Sequence, residues 1–304
     1  MNWSKLGLIF TPGKYDWMLT HAMCPFPQWL EGSIFKIHFG GRDKDGRARG
    51  GYFIINISKP QEILEVSARP TLDLGDLGCF DDCGAIPNCL VEAKDRQFIY
   101  YNGRTQMEVT PFSSFIGLAI SEDGGATFER YSKAPVLGRN RIDPYMTPTP
   151  WVVLEDGVWR MWYASCTKWE RLPDIPVPRH YYHIRYCESP DGLEWNPKGY
   201  VCIDFQGDEY AIARPVVYKD DGVYKMWYCL RGGDRAYRAG YAESADGLAW
   251  ERMDGRVGID ISEAGWDSEM ICYPCVFKHE EHTFMLYNGN SYGIDGVGLA
   301  VLDD

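Results

Sequence analysis

Pro215-Val216-Val217-Tyr218, then a polar turn, then Lys225-Met226-Trp227-Tyr228 is the stretch that decides the fold. It reads as a proline, a short apolar run, a turn and an aromatic-rich run, each run of strand length and strand composition. The same phrase recurs. Pro87-Asn88-Cys89-Leu90-Val91 precedes Phe98-Ile99-Tyr100-Tyr101, and Pro150-Trp151-Val152-Val153-Leu154 precedes Arg160-Met161-Trp162-Tyr163. Pro274-Cys275-Val276-Phe277 precedes Phe284-Met285-Leu286-Tyr287, and a weaker copy, Pro27-Gln28-Trp29-Leu30 with Phe35-Lys36-Ile37-His38-Phe39, opens the chain. The prolines return at roughly 60-residue intervals, and self-similarity on that scale marks a repeat architecture.

A second phrase follows within the complete units. Ile184-Arg185-Tyr186-Cys187 runs into Glu188-Ser189-Pro190-Asp191-Gly192-Leu193-Glu194-Trp195, and Ala239-Gly240-Tyr241-Ala242 runs into Glu243-Ser244-Ala245-Asp246-Gly247-Leu248-Ala249-Trp250. Asp-Gly between two β-prone runs signals a tight turn, because glycine accepts positive φ and aspartate caps backbone N–H groups. Each unit thus holds four short strands, the content of a propeller blade. The last unit reaches only a third strand at 296–301, whereas Trp3-Ser4-Lys5-Leu6-Gly7-Leu8-Ile9 mirrors Trp195-Asn196-Pro197-Lys198-Gly199-Tyr200-Val201. The pattern predicts an all-β, five-bladed β-propeller of four-stranded antiparallel blades, one domain over 1–304, with residues 3–10 completing the last blade and closing the ring. Trp162, Trp227 and Tyr287 are expected to pack between blades. The segments 167–182 and 41–51 read as a surface loop and an exposed hairpin.

The 304 residues are 45% hydrophobic and carry a formal net charge of -12, which argues against a nucleic-acid partner. No apolar run approaches the ~18 residues of a membrane span. The apolar stretch 6–10 is too short for a secretory signal and runs into Pro12-Gly13, so a cytoplasmic protein whose ten cysteines are mostly reduced is expected. Cys272 and Cys275 form a C-x-x-C with no second pair, so neither a metal nor a cofactor is expected.

In a propeller the innermost strands line the channel, and the loops leading into them converge on one face. The first such loop carries His21, and the other four carry Asp81 and Asp82, Asp143 and Tyr145, Glu209 and Arg214, and Asp267 and Glu269. Glycosyl chemistry needs one carboxyl group to protonate the leaving oxygen and a second to activate water or attack the sugar. Crowding raises the pKa of one member of such a set, so Asp82, Asp143, Glu209 and Glu269 are the catalytic candidates. Arg42, Arg214 and Arg231 could clamp an anionic group. Tyr145 and Tyr292 offer stacking faces, His21 and His183 could act as bases, and Asp81, Asp267 and Asn290 join the binding set.

These motifs resemble the five-bladed propeller glycoside hydrolases: arabinofuranosidases, xylosidases, invertases and mannoside phosphorylases. Phe80-Asp81-Asp82, Ile142-Asp143-Pro144-Tyr145, Tyr210-Ala211-Ile212-Ala213-Arg214-Pro215, Trp266-Asp267-Ser268-Glu269-Met270 and Tyr287-Asn288-Gly289-Asn290 are similar to a bacterial "glycosylase" group encoded among surface-polysaccharide genes. The resemblance implies action on a small carbohydrate or nucleotide sugar, with no nucleic acid or membrane as partner. The chain departs from those hydrolases where their three catalytic acids stand, just ahead of the first three inner prolines. Here those slots hold Cys24 and Phe26, Ala85 and Ile86, and Thr147 and Thr149. Three readings stay open: glycosyl cleavage or transfer, sugar binding without catalysis in a biosynthetic complex, and a different reaction with a histidine base.

Overall fold

A computed structural model describes residues 1–303. Strand β1 spans Trp3–Phe10. The next set is β2 (Thr20–Glu31), β3 (Ile34–Arg42), β4 (Ala48–Asn56) and β5 (Ile63–Val66), followed by β6 (Gly84–Ala93), β7 (Arg96–Gln106), β8 (Phe112–Ser121) and β9 (Glu129–Arg130). A third set is β10 (Trp151–Glu155), β11 (Val158–Glu170), β12 (Arg179–Ser189) and β13 (Tyr200–Ile203). A fourth is β14 (Glu209–Asp220), β15 (Val223–Gly232), β16 (Arg238–Ser244) and β17 (Glu251–Arg252), and β18 (Cys272–His279), β19 (His282–Asn288) and β20 (Val297–Leu302) end the chain.

Within each set consecutive strands pair antiparallel. The last set is completed from the other end of the chain, as its missing fourth strand requires. β1 pairs antiparallel with β20, from Trp3 opposite Leu302 to Phe10 opposite Val297. The first strands of the sets also meet in a cycle: β2 packs on β6, β6 on β10, β10 on β14, β14 on β18, and β18 again on β2. Among the described residues no helix is long and apolar enough to cross a membrane.

The core lies between successive sets. Trp162 of the third packs with Tyr224 and Met226 of the fourth, and Trp227 of the fourth with Val276 and Met285 of the fifth. Phe10 of β1 stacks on Phe53 of the first set at 4.2 Å. Each large apolar side chain buried this way contributes about 1.5–3 kcal/mol. The Asp-Gly turns fit their sequence reading: Gly192 and Gly247 both have φ of 78°, and the carboxylates of Asp191 and Asp246 accept backbone N–H groups two and three residues on.

Two segments differ from expectation. The 167–182 stretch is mostly strand, since Lys168 pairs with Tyr181, Trp169 with His180 and Glu170 with Arg179. Only 171–178 leaves the ladder, where Pro173, Pro176 and Pro178 have no N–H to donate. The 41–51 hairpin is tighter and more buried than its charges suggested. Its exposed part is the turn between Asp43 and Arg47, and Gly51 is packed so closely that a Cβ would lie 2.1 Å from the Trp17 ring.

Candidate functional site

Four of the five inner strands break register close to their proline. The irregularities fall at Met23/Phe26, Pro87/Cys89, Ala213/Val216 and Cys272/Cys275. The residue directly ahead of the proline takes a left-handed conformation four times: Cys24 (φ 55°), Thr149 (φ 53°), Arg214 (φ 57°) and Tyr273 (φ 53°). Such geometry costs about 1–3 kcal/mol per non-glycine residue and concentrates at functional sites, where bulges re-aim side chains. Here these four residues, with Ile86 of β6, form a collar. Cys24, Ile86 and Tyr273 share one buried cluster. The Arg214 amide donates to Thr149 Oγ1 at 3.2 Å, and its Nη2 donates to the Cys24 carbonyl at 3.4 Å.

The second strands end at the same face. Counting three residues on from the equivalent aromatics Phe39, Tyr101 and Tyr228 reaches Arg42, Arg104 and Arg231. Arg42 Nη1 lies 3.3 Å from His21 Nε2, Arg231 Nη1 donates to the Tyr292 hydroxyl at 3.1 Å, and the Arg104 guanidinium sits 4.3 Å from the Phe112 ring. Tyr182 and Tyr237 share a short hydroxyl–hydroxyl bond beneath Arg231, whose guanidinium is 4.7 Å from the Tyr237 ring. Beside it, a cleft of about 260 Å³ is lined by Phe112, Arg179, His180, Tyr210 and Arg231 among others. A larger cavity, about 520 Å³ and lined by Gly157, Pro190 and Lys198, opens where the turns at the other ends of these strands lie. It is remote from the collar.

Burial first, then the neighbouring guanidinium of Arg42, lowers His21 to about 4. Burial, then Arg231 and Arg104, lowers His180 to about 3. Burial raises the Cys24 thiol to about 11 against the pull of Arg214 and Arg42, and raises the phenols of Tyr273 and Tyr237 well above their ordinary value. Burial, then Arg42, also lowers Arg104. At neutral pH the site therefore presents neutral imidazoles, protonated phenols and guanidinium groups. Arg42 Nε, Arg231 Nε and both Nε and Nη1 of Arg214 are buried without a hydrogen-bond partner among the described residues, and Arg214 is fully buried. A buried polar group left unsatisfied costs about 1–3 kcal/mol, more when charged.

Among the described residues none of the four catalytic candidates shares a hydrogen-bond partner with another. Asp143 is fully buried and accepts from Tyr163 Oη at 2.9 Å and Arg185 Nη1 at 2.9 Å. Glu209 accepts two bonds of 2.8 Å from Arg252. Asp82 accepts from the Gly78 amide at 3.0 Å, and the Glu269 side chain is exposed with no polar partner among the described residues. The binding candidates divide. His21, Arg42, Arg214, Arg231 and Tyr292 are at the collar. Asp81 is held by Tyr101 Oη (2.9 Å) and Arg130 Nε (2.7 Å), and Asp267 by Tyr287 Oη (3.2 Å) and Lys5 Nζ (2.7 Å). Asn290 bridges loops, accepting from the Glu269 and Met270 amides, and Tyr145 is exposed. His183 lies on β12, the third strand of its set and not an inner one. It bonds Asp204 at 3.0 Å and Arg185 at 3.1 Å.

A repeated device explains the recurring acids. Asp81, Asp143 and Asp267 each accept from the tyrosine at one position of the second strand, Tyr101, Tyr163 or Tyr287, and from one cation. Tyr228 donates likewise to Asp254, which also pairs with Arg252. Sequence reasoning missed Arg104, His180, Tyr182, Tyr237 and Tyr273. Arg104 was within reach, because it stands in register with Arg42 and Arg231.

No family model matches the chain. Among solved structures, a protein named "Glycoside hydrolase" superposes with TM-score 0.79 at 17% identity, over 99% of this chain and 91% of its own. The catalytic domain of the Coprinopsis cinerea GH62 alpha-L-arabinofuranosidase gives TM-score 0.70 at 12% identity, over 99% and 96%. A thermostable family-43 glycoside hydrolase gives 0.64 at 17%, over 96% and 91%. These likenesses establish an all-β fold of the propeller-type glycoside hydrolases. Two curated relatives from Mycobacterium tuberculosis, "Uncharacterized protein MT1551" (strain CDC 1551 / Oshkosh) and "Uncharacterized protein Rv1502" (strain ATCC 25618 / H37Rv), are each 45% identical over 307 residues, 100% of both chains. Identity at that level over the full length assigns membership: the chain belongs to the family of these mycobacterial proteins.

Proposed function

We propose that the protein is a carbohydrate-active, glycoside hydrolase-like propeller that holds a sugar ligand in the collar, without paired-carboxylate hydrolysis. In this reading the five strand sets are the blades of one closed ring, supported by the cyclic packing of the inner strands and by the β1–β20 pairing. The observation that carries the reading is the collar itself: bulged residues from the inner strands, ringed by phenols and imidazoles that remain uncharged at neutral pH. Such groups donate to and accept from hydroxyls while their ring faces cover the apolar face of a sugar. Asp143 and Glu209, each paired with an arginine, act as scaffold in this reading, and neither Asp82 nor Glu269 supplies a second carboxyl group in reach of them, whereas general acid–base hydrolysis requires two carboxyl groups facing one pocket. A cytoplasmic role on a sugar or sugar nucleotide in bacterial surface-polysaccharide metabolism extends this reading and rests on the sequence resemblance.

The test is calorimetric titration of the protein with a panel of hexoses, hexose phosphates and nucleotide sugars. Binding that is weakened by Tyr292→Phe and Tyr237→Phe supports the collar. Turnover of an aryl glycoside that disappears in Glu209→Gln or Asp143→Asn, with the fold retained, would restore the acids to catalysis and overturn the reading.

A further inference from the structure

We infer that the collar takes the anionic group of its ligand, a phosphate or a carboxylate on the sugar, through Arg42, Arg104, Arg214 and Arg231. The inference rests on the collar being the carbohydrate site and adds the ligand's charge to it. The chain is strongly acidic, with a net charge of -12, so guanidinium groups have carboxylates in plenty to pair with. Elsewhere they do. Arg130 pairs with Asp81, Arg185 with Asp143 and Arg252 with Glu209, all at 2.9 Å or less.

The four collar arginines make no such pair among the described residues. Three of them keep N–H groups that are buried and unpartnered, and buried polar groups in a folded protein are otherwise nearly always satisfied. Three come from one equivalent position on three different second strands, and the fourth lies on an inner strand ahead of a proline. Their mutual influence is visible in the groups between them. Arg42 and Arg214 both bear on Cys24, and Arg104 and Arg231 both bear on His180. One of these guanidinium groups is fully buried and three are half-buried, so a counter-charge brought by a ligand would stabilise the set. A phosphate or carboxylate does so, and its oxygens match the planar guanidinium fork.

The experiment titrates the full chain with three matched sets, in gluco, galacto and manno configurations: the neutral hexose, the hexose 1-phosphate and the corresponding uronate, with inorganic phosphate beside them. One charged set is expected to bind at least tenfold more tightly than its neutral hexose, and which set does so identifies phosphate or carboxylate. Arg104→Gln and Arg231→Gln, at half-buried positions where folding is checked by the melting curve, should weaken the charged ligand about tenfold to a hundredfold, a larger loss than either variant causes for the matching neutral hexose. Equal affinity for charged and neutral sugars overturns the inference and leaves the sugar site standing. Inorganic phosphate binding that depends on Arg104, with no sugar bound, keeps the anion site and removes the sugar. Silence from every ligand removes both.

Discussion

Replacing Arg214 with methionine should make the ligand-free protein more stable, the reverse of what a large buried substitution ordinarily does. Arg214 is fully buried, and among the described residues its Nε and Nη1 have no partner and its side chain makes one bond, the 3.4 Å contact to the Cys24 carbonyl. Each unsatisfied N–H costs about 1–3 kcal/mol and is relieved by an apolar side chain of similar length. Against this stand the long bond and a cation–π contact to Trp151 at 5.5 Å, the latter about 0.5–2 kcal/mol. Methionine adapts its shape to irregular space, and it has a Cβ as arginine does, so the backbone strain at φ 57° carries over unchanged. The balance is about 1–3 kcal/mol in favour of Arg214→Met. With an unfolding entropy of about 2.1 cal/mol/K per residue over 304 residues, that is a rise in Tm of roughly 2–5 °C. Scanning calorimetry with and without an anionic sugar reads both halves of the argument. Ligand at a hundred times its Kd should add about 2.7 kcal/mol to the parent protein and about 0.4–1.4 kcal/mol to a variant that binds it tenfold to a hundredfold more weakly. A variant that melts several degrees lower and responds to ligand as fully as the parent would refute the reasoning, because the guanidinium would then be a structural pillar.

Asp143→Asn should cost about 3–5 kcal/mol, since it leaves Arg185 facing a neutral group at a fully buried site, and a melting curve matching the parent would remove the scaffold role given to this acid. Burial, then the charge of Lys36, lowers His38 to about 3, so between pH 6.5 and 3 the unfolded chain binds a proton that the folded chain refuses. Stability should therefore fall with pH across that window by up to about 1.4 kcal/mol per unit from this group, and His38→Gln should flatten the urea midpoints between pH 6 and 4.5. Removing residues 2–10 strips β20 of its outer partner and takes Phe10 from the core, so the shortened chain should elute as aggregate in size-exclusion chromatography. A monomeric peak with an unchanged melting curve would count against the closing role of β1.

The strand repeat was legible because the same pairing problem is solved in every set, and similar local chemistry solves it each time. The first copy was faint for a structural reason. Phe39 stands where the other sets have tyrosine, and it packs with Phe10, Trp17 and Phe53 rather than reaching an aspartate. The strand over 167–170 was hidden by the prolines that follow it. The acids leading into the inner strands were visible, but their employment was not. What each carboxylate does depends on Tyr101, Tyr163 or Tyr287 and on Arg130, Arg185 or Lys5, which reach it from other strands or from the far end of the chain. Arg104, His180 and Tyr273 carry no loop signal, because they stand at strand ends and bulges, which supply much of the collar.

The pairing of β1 with β20 also sets an order of events during synthesis. Trp3, Ile9 and Phe10 leave the ribosome well before Val297–Leu302, the strand they pair with. At about 5–20 residues per second the wait is on the order of 15–60 s. Throughout that time an apolar strand hangs from the nascent chain with its edge open. It is thus a natural target for chaperones, and a point where two growing chains on one message could exchange ends.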